Sequence, residues 1–334
     1  EEVQDVFEYT IPTGTKYGTT TVRIDQQSFE VTTFRKDGCY LGNRKPERVF
    51  FTDSIHEDLA RRDFTINAMA YHERKGLLDL FGGRKDLEKR LIRSVGNPQK
   101  RFEEDALRML RGIRFAAQLE FDIEPDTEQG ILKKNFLLQN VSPERIREEF
   151  NKILLAQSPS LGIQKMIDLG LLPYILPEFS NAAGFQSDGF KCSQDGLEYL
   201  LTVVDAVEPD IVLRLAAFLN GLIKQKRFFS FEENRLCRNG DDAAEIAEKI
   251  LKHLKYDKKT IAQVRILIEK QLSKEQLLRV DCLRQRDIKY FINDVGKENL
   301  ERWFQFQTVD MKACQMFAEL QKLATLKEQV DKIL

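Results

Sequence analysis

Two arginines side by side, and an acid and three arginines at every third position, are the parts of this sequence best suited to chemistry. Arg61 and Arg62 open the string RRDFTINAMA at residues 61–70. Adjacent guanidinium groups offer forked N–H donors that match phosphate oxygens, and Asn67 can hydrogen-bond a ribose hydroxyl. An Arg-Arg pair alone is more often solvated charge at a helix end; the ten-residue string is far more specific. A second string, EDALRMLRGIR at residues 104–114, spaces Asp105, Arg108, Arg111 and Arg114 three apart. On a helix this gives a slowly drifting polar stripe. The plain reading is a row of surface ion pairs, each contributing less than about 1 kcal/mol. The sharper reading is base selection. An Asp accepts from an exocyclic amino group while an Arg donates to the ring acceptors beside it. Cytosine and adenine both present that edge, whereas uracil and guanine place a carbonyl where the Asp sits. A wrong base leaves buried polar groups unpaired at roughly 1–3 kcal/mol each, so two side chains can select C and A without a template.

A third candidate is Glu30, in the string FEVTTF at residues 29–34. Alternation puts it opposite Phe29 and Val31, and most such acids face water. Its functional reading is a third carboxylate beside a metal site. Asp79 begins DLFGG, whose glycines suit a tight turn, a structural role.

The elements that must position these residues change character along the chain. Residues 19–24 and 28–34 are rich in β-branched and aromatic residues, and Asp25-Gln26-Gln27 between them predicts a hairpin. A two-stranded hairpin is a poor sheet by itself. Residues 35–47 are polar, with Asp37-Gly38, Gly42-Asn43 and Pro46, and read as a mobile loop. A short helix through residues 55–62 follows, then two buried segments, 64–70 and 77–81, separated by a turn. From Asp86 the pattern turns helical. Residues 102–119 predict one helix with Leu107, Leu110, Ile113, Phe115, Ala116 and Leu119 at helical spacing. Ser142 and Pro143 mark a helix start, with Ser142 as N-cap. Residues 143–334 read as almost wholly helical.

Composition bounds the function. At 334 residues two or more packed units are expected. No apolar run approaches bilayer length, and no signal peptide is visible. The chain starts at Glu1 rather than Met, which reads as a processed or shortened chain. Five scattered cysteines form no CxxC pair, which argues against a zinc ribbon and suits a cytoplasmic protein. With only His56, His72 and His253, a histidine-rich metal site is hard to build. The net charge of −1 does not announce a nucleic-acid binder, but residues 84–114 carry about twice as many basic as acidic side chains. That stretch predicts a local basic surface able to track phosphates.

Seven strings, GTKYGT, EVTTFR, DGCYLGNRKPERVFF, RRDFTINAMA, DLFGG, EDALRMLRGIRF and SPERIREEF, occur in the order found in class II tRNA nucleotidyltransferases, the group that includes CCA-adding enzymes and bacterial poly(A) polymerases. Over about residues 1–175 the chain resembles that family. The resemblance implies an α+β fold: a small polymerase-β-like head with an antiparallel or mixed sheet, then an all-α neck, body and tail. The corresponding divisions are 1–83, 84–175, 176–275 and 276–334. It implies template-independent addition of C and A to the 3′ end of tRNA from CTP and ATP, with release of pyrophosphate and use of Mg²⁺. Arg62, Asn67, Asp105, Arg108, Arg111 and Arg114 would bind the incoming nucleotide, and Glu30 matches the acid near the catalytic pair. The family's flexible loop matches roughly residues 36–46, which favours the ability to add A. The family's glycine-rich phosphate motif and Asp-x-Asp metal motif fall before the position of Glu1 and are not in this sequence; both are expected upstream, and the tail is expected to continue past Leu334. Two rivals stay open: an A-adding enzyme or poly(A) polymerase of the same family, and a non-catalytic tRNA- and nucleotide-binding protein. A second resemblance, over residues 214–221, 241–251 and 258–261, is to HD phosphohydrolase domains. Asn220-Gly221 stands where the His-Asp doublet would be, so a helical scaffold without hydrolase activity is expected, with His253 at the surface.

Overall fold

The computed structural model describes residues 2–14, 18–38, 40–41, 45–46, 48–176, 194–224, 240–272, 276 and 280–334. The centre of the GTKYGT turn, part of the 36–46 loop, and Cys39, Cys192 and Cys237 lie outside the described residues. Compactness divides the chain into two units, Glu1–Gly112 with Asp122–Val141, and Ile113–Phe121 with Ser142–Leu334.

In the first unit, α1 (Glu2–Val6) precedes an antiparallel sheet of β1 (Thr10–Gly14), β2 (Thr19–Ile24) and β3 (Gln27–Thr32), in that order. The β2–β3 hairpin closes through Asp25 and Gln26, both left-handed (φ 47° and 67°), the geometry whose twist matches the flanking strands. The expected alternation of β3 does not become an inside and an outside. Phe29 is 48% and Val31 37% exposed, and Glu30 is exposed too. Burial in this hairpin is confined to Thr21 and Val22 on β2, the central strand, and β3 forms the sheet's edge.

The segment expected as a mobile loop carries two short antiparallel ladders. They pair β4 (Arg35–Asp37) with β7 (Val49–Phe51) and β5 (Tyr40–Leu41) with β6 (Lys45–Pro46). Next come α2 (Ile55–Ala60), a 3-10 turn (Thr65–Asn67), the hairpin of β8 (Met69–His72) and β9 (Gly76–Asp79), and α3 (Gly83–Glu88). Asp79 accepts from the backbone N–H groups of Gly83 and Arg84 at 2.8 and 2.9 Å, and Gly82 is left-handed (φ 76°), so DLFGG is a glycine-dependent turn into α3. A two-residue parallel pair, β10 (Leu91–Ile92) with β11 (Asp122–Ile123), makes the unit's sheets mixed in direction. The helices α4 (Pro98–Glu104), α5 (Leu107–Leu119) and α6 (Pro125–Lys134) complete it, around Phe64, Ile92, Phe102, Met109 and Leu110.

The single helix predicted over residues 102–119 is two. Asp105 adopts an extended conformation (φ −141°, ψ 105°), and its Oδ1 accepts the N–H of Leu107 at 3.1 Å. A short acid that bonds nearby backbone competes with helix continuation and favours a fresh start. Asp105 therefore precedes α5 and does not sit on the same helical stripe as the arginines.

The second unit is helical throughout its described residues. It takes the C-terminal part of α5 and adds α7 (Pro143–Leu154), α8 (Pro159–Asp168), α9 (Leu172–Ile175), α10 (Gln194–Ala206), α11 (Ile211–Lys224), α12 (Gly240–His253), α13 (Lys258–Glu269), α14 (Gln285–Val295), α15 (Leu300–Ala313) and α16 (Phe317–Asp331). Ser142 occupies the N-cap position of α7 with extended backbone, but its side chain makes no capping bond. Phe150 and Phe218 meet edge to face at 5.2 Å. Trp303, fully buried, contacts Phe291 and Phe304 and donates its Nε1–H to the Lys270 carbonyl at 3.0 Å. Asn220 is buried within α11. A Cβ on Gly221 would lie 2.6 Å from Leu200 Cδ1, so α10 and α11 cross too closely there for a side chain. Packing thus accounts for the glycine at the position of the HD doublet. His253 is exposed at the end of α12.

Candidate nucleotide-binding site

The RRDFTINAMA string begins where α2 ends, and its two arginines meet a carboxylate three and four residues back. Arg61 donates from Nε and Nη2 to Asp58 Oδ1 at 3.0 and 2.7 Å, and Arg62 donates from Nη2 to Asp58 Oδ2 at 3.2 Å. Arg61 is half-buried and Arg62 exposed. The third residue, Asp63, is buried and takes Arg111 of α5: Arg111 Nε and Nη2 reach Asp63 Oδ2 at 2.7 and 2.6 Å. Burial works to raise the Asp63 pKa, but the Arg111 charge and hydrogen bond, with help from Asn67, outweigh it and hold the carboxyl below its ordinary value. Asn67 donates its Nδ2 to Asp63 Oδ1 at 3.2 Å. The turn carrying Asn67 is fixed from below by Thr65, whose hydroxyl donates to buried Asp86 at 2.7 Å, and Asp86 in turn pairs with Arg93 at 3.1 Å.

The start of α5 supplies the second group. Arg108 is only 8% exposed. Its Nη1 donates to Glu104 Oε2 at 2.7 Å and to the Arg101 carbonyl at 3.2 Å, and its Nη2 to the Arg61 carbonyl at 3.2 Å. Arg101 shares Glu104 (2.8 Å) and donates to the Ala60 carbonyl at 2.8 Å. The last carbonyls of α2 are thus capped by two guanidinium groups that share one acid. Asp105, half-buried, stands in the break between α4 and α5 one residue after that acid.

Arg62, Asn67, Asp105, Arg108 and Arg111 thus lie in one unit; Asp58 holds Arg62, Asp63 holds Asn67 and Arg111, and Glu104 holds Arg108, while Asp105 accepts the Leu107 N–H. Arg114 belongs to the second unit, where its Nε lies 3.1 Å from Glu149 Oε2 of α7 and its guanidinium covers the Phe115 ring at 4.0 Å. Glu30 stands on β3, paired in register with Thr21. Among the described residues no three His, Cys, Asp or Glu side chains are grouped to hold a metal ion. Mg²⁺ needs several converging oxygen ligands, so these residues do not fit a divalent-cation site.

Of the ten basic side chains in residues 84–114, five are exposed and five are half-buried or buried. Arg84, Arg93, Arg101, Arg108, Arg111 and Arg114 each pair with a carboxylate. Several of those acids, such as Asp63, Glu124 and Glu149, come from outside the stretch. A count along the sequence cannot see such partners, and the predicted basic surface is correspondingly reduced. The acids Asp58, Asp63 and Glu104 went without roles in the sequence reading. Asp58–Arg62 and Glu104–Arg108 carry a local signal, the i,i+4 spacing of facing helix positions. Asp63–Arg111, 48 residues apart, carries none.

Residues 1–93 match a family model described as the poly A polymerase head domain, and residues 120–182 match one described as the probable RNA and SrmB-binding site of polymerase A. A CCA-adding enzyme of Bacillus cytotoxicus is 35% identical over 287 residues, covering 80% of this chain and 72% of the relative. One from Ligilactobacillus salivarius is 45% identical over 174 residues, covering 52% of this chain; the match spans only 43% of the relative's length. A crystal structure of the Bacillus stearothermophilus CCA-adding enzyme in complex with CTP superposes with a TM-score of 0.70 at 27% identity, over 99% of this chain and 70% of that one. No described helix is long and apolar enough to cross a membrane.

Proposed function

The chain belongs to the family of CCA-adding enzymes, and from that premise we propose that it carries the nucleotide-selecting part of a template-independent nucleotidyltransferase, which adds C and A from CTP and ATP to the 3′ end of tRNA and releases pyrophosphate. The observation that carries this reading is the junction between α4 and α5, where Asp105 precedes α5, Arg108 lies in its first turn, and Glu104 and two carbonyls hold the arginine.

In this reading Arg62 steadies the triphosphate. One of its N–H groups is bound to Asp58 and its side chain is 44% exposed, so donors remain for phosphate oxygens. Asn67 offers a hydrogen bond to the ribose, with its amide nitrogen fixed by Asp63. Asp105 accepts the exocyclic amino group of C or A while Arg108 donates to the neighbouring ring acceptors. Preorganised donors are valuable here because a rigid guanidinium loses no orientation when the base arrives. Arg111 acts through its carboxylate, Asp63, as a support; a nucleotide-binding role for Arg114 rests on family resemblance. The role of Glu30 as a carboxylate beside the reacting centre rests on family resemblance. Nucleotidyltransferases generally use a divalent metal; the described residues do not supply its ligands, and what they do is bind, orient and discriminate. The partners are tRNA, CTP and ATP, the expected compartment is the cytoplasm, and the acceptor arm would be gripped by shape and phosphate contacts.

The test uses full-length protein with three RNAs: tRNA ending before CC, tRNA ending after CC, and an unrelated RNA. Addition of CCA to the first and A to the second is expected, with the third left unextended. Incorporation of A alone, on the CC-ending tRNA only, selects the A-adding reading. Extension of the unrelated RNA with A selects a poly(A) polymerase, and binding without extension selects a non-catalytic module.

A further inference from the structure

We propose that Asp58 is a positioning residue for the nucleotide triphosphate, setting the direction of the Arg61–Arg62 pair from beneath. The inference deepens the function proposed above and rests on its assignment of Arg62 to the phosphates.

The geometry is that of a hub. Asp58 is 4% exposed, and its two oxygens are divided between the arginines: Oδ1 takes Arg61 twice and Oδ2 takes Arg62. Oδ1 also accepts the backbone N–H of Arg35, at the start of β4, at 3.2 Å. The carboxylate is thus fixed by a strand that is independent of the helix carrying it. The backbone of the pair is held separately, because the Ala60 and Arg61 carbonyls are capped by Arg101 and Arg108. What those caps leave undecided is where the two guanidinium groups point, and Asp58 decides that.

The charge balance favours an anion at this place. Two guanidinium groups against one carboxylate leave a net positive charge, and it is exposed at Arg62 while the acid is covered. Burial works to raise the Asp58 pKa, but the hydrogen bond and charge of Arg61, with the Arg35 N–H and Arg62, outweigh it and keep the group ionised. A fork held at one edge by a fixed carboxylate keeps its other edge for a second oxyanion and gives up less rotamer freedom when that oxyanion binds. The i,i+3 and i,i+4 spacings of Asp58 to the pair are usually read as surface ion pairs. Burial of the acid and its third donor separate this case from those.

The test measures equilibrium affinity for CTP, ATP and inorganic tripolyphosphate in full-length protein, with Asp58→Asn as the variant and Arg62→Ala as its reference. The amide keeps the shape and the Arg35 contact but loses the charge. Affinity for all three ligands is expected to fall by the same factor, about tenfold for a displaced charge-assisted contact, with the preference for C and A over U and G retained. In the Arg62→Ala background the Asp58 substitution should have little further effect. A merely structural role would disturb base preference together with affinity. Asp58→Glu, which keeps the charge on a longer arm, takes the place of the amide variant if that one does not fold. Unchanged tripolyphosphate affinity in the folded variant overturns the proposal, as does a loss confined to one nucleotide. Wild-type protein that binds tripolyphosphate but extends no tRNA sinks the functional reading and leaves the role of Asp58 standing.

Discussion

Asp105 holds two roles that substitution can separate. Its carboxylate caps α5 through the Leu107 N–H, and in the proposed site it accepts the amino group of C or A. Asparagine keeps a capping oxygen nearly as good as that of aspartate, whereas alanine keeps none and costs about 1 kcal/mol of stability. Asp105→Asn and Asp105→Ala are both expected to admit UTP and GTP, since each loses the carboxylate, but only the alanine variant should melt early. Incorporation assays with each nucleotide, beside a thermal melt, read the two effects apart. Wild-type discrimination in the asparagine variant would show that this carboxylate does not read the base. Asp63 makes a different prediction. Its folded pKa lies below the ordinary 3.8, so the ion pair with Arg111 contributes fully above that pH and is lost as pH falls through the lower, folded value. Asp63→Asn should therefore cost roughly 1–3 kcal/mol at neutral pH. Urea titrations should find this gap closing as pH falls from 3.8 through the lower, folded value, and a gap that persisted into strong acid would mean the charge is not its source. At this scale the candidate chemistry was legible as residue types in ordered strings. The acids that hold the arginines were half legible: Glu104 and Asp58 by spacing, Asp63 not at all, because its partner arrives from a distant helix.

At the scale of elements, the sequence periodicity found the helices and missed their joints. Hydrophobic spacing across residues 102–119 is continuous, because the apolar residues of α4 and α5 both face the core, and nothing in that period records the extended backbone at Asp105. The signal available was the residue type itself, since aspartate is a better helix start than a helix interior. The β2–β3 hairpin was legible, but β4 to β7 were not: a polar stretch with turn residues looks like a loop whether or not its backbone pairs, and these ladders are two or three residues long. The DLFGG turn shows where an element depends on one atom. A Cβ on Gly83 would run into the carbonyl oxygen of Thr65, in the turn that carries Asn67. Backbone cannot give way there without moving that turn. Gly83→Ala is expected to destabilise the chain by about 1–3 kcal/mol, in line with other overpacking substitutions, and to weaken nucleotide affinity through Asn67. Urea denaturation and CTP binding measured together check it. A variant as stable as wild type would show that the α3 entry tolerates displacement.

At the scale of the whole molecule, one helix belongs to both compact units. Residues 107–112 of α5 lie in the first and 113–119 in the second. Arg111 is paired to Asp63 in one, and Arg114 to Glu149 in the other. If the first unit unfolded alone, the remaining seven-residue piece of α5 would lose its N-terminal cap at Asp105 and half its length, and helices that short are marginal without support. The two units should therefore unfold as one transition. Trp303 is the only tryptophan in the sequence and is fully buried against Phe291 and Phe304 in the second unit, so its fluorescence reports that unit alone. Asp63→Asn lies wholly in the first unit. If α5 couples them, that substitution lowers the urea midpoint read by Trp303 fluorescence by the same amount as the midpoint read by far-ultraviolet circular dichroism, with no change of slope. A fluorescence midpoint that stays at the wild-type value while the dichroism splits into two phases would mean that α5 frays at Gly112 and that the units fold independently. The end of the helix proposed to read the base would then owe nothing to the helical unit that follows it.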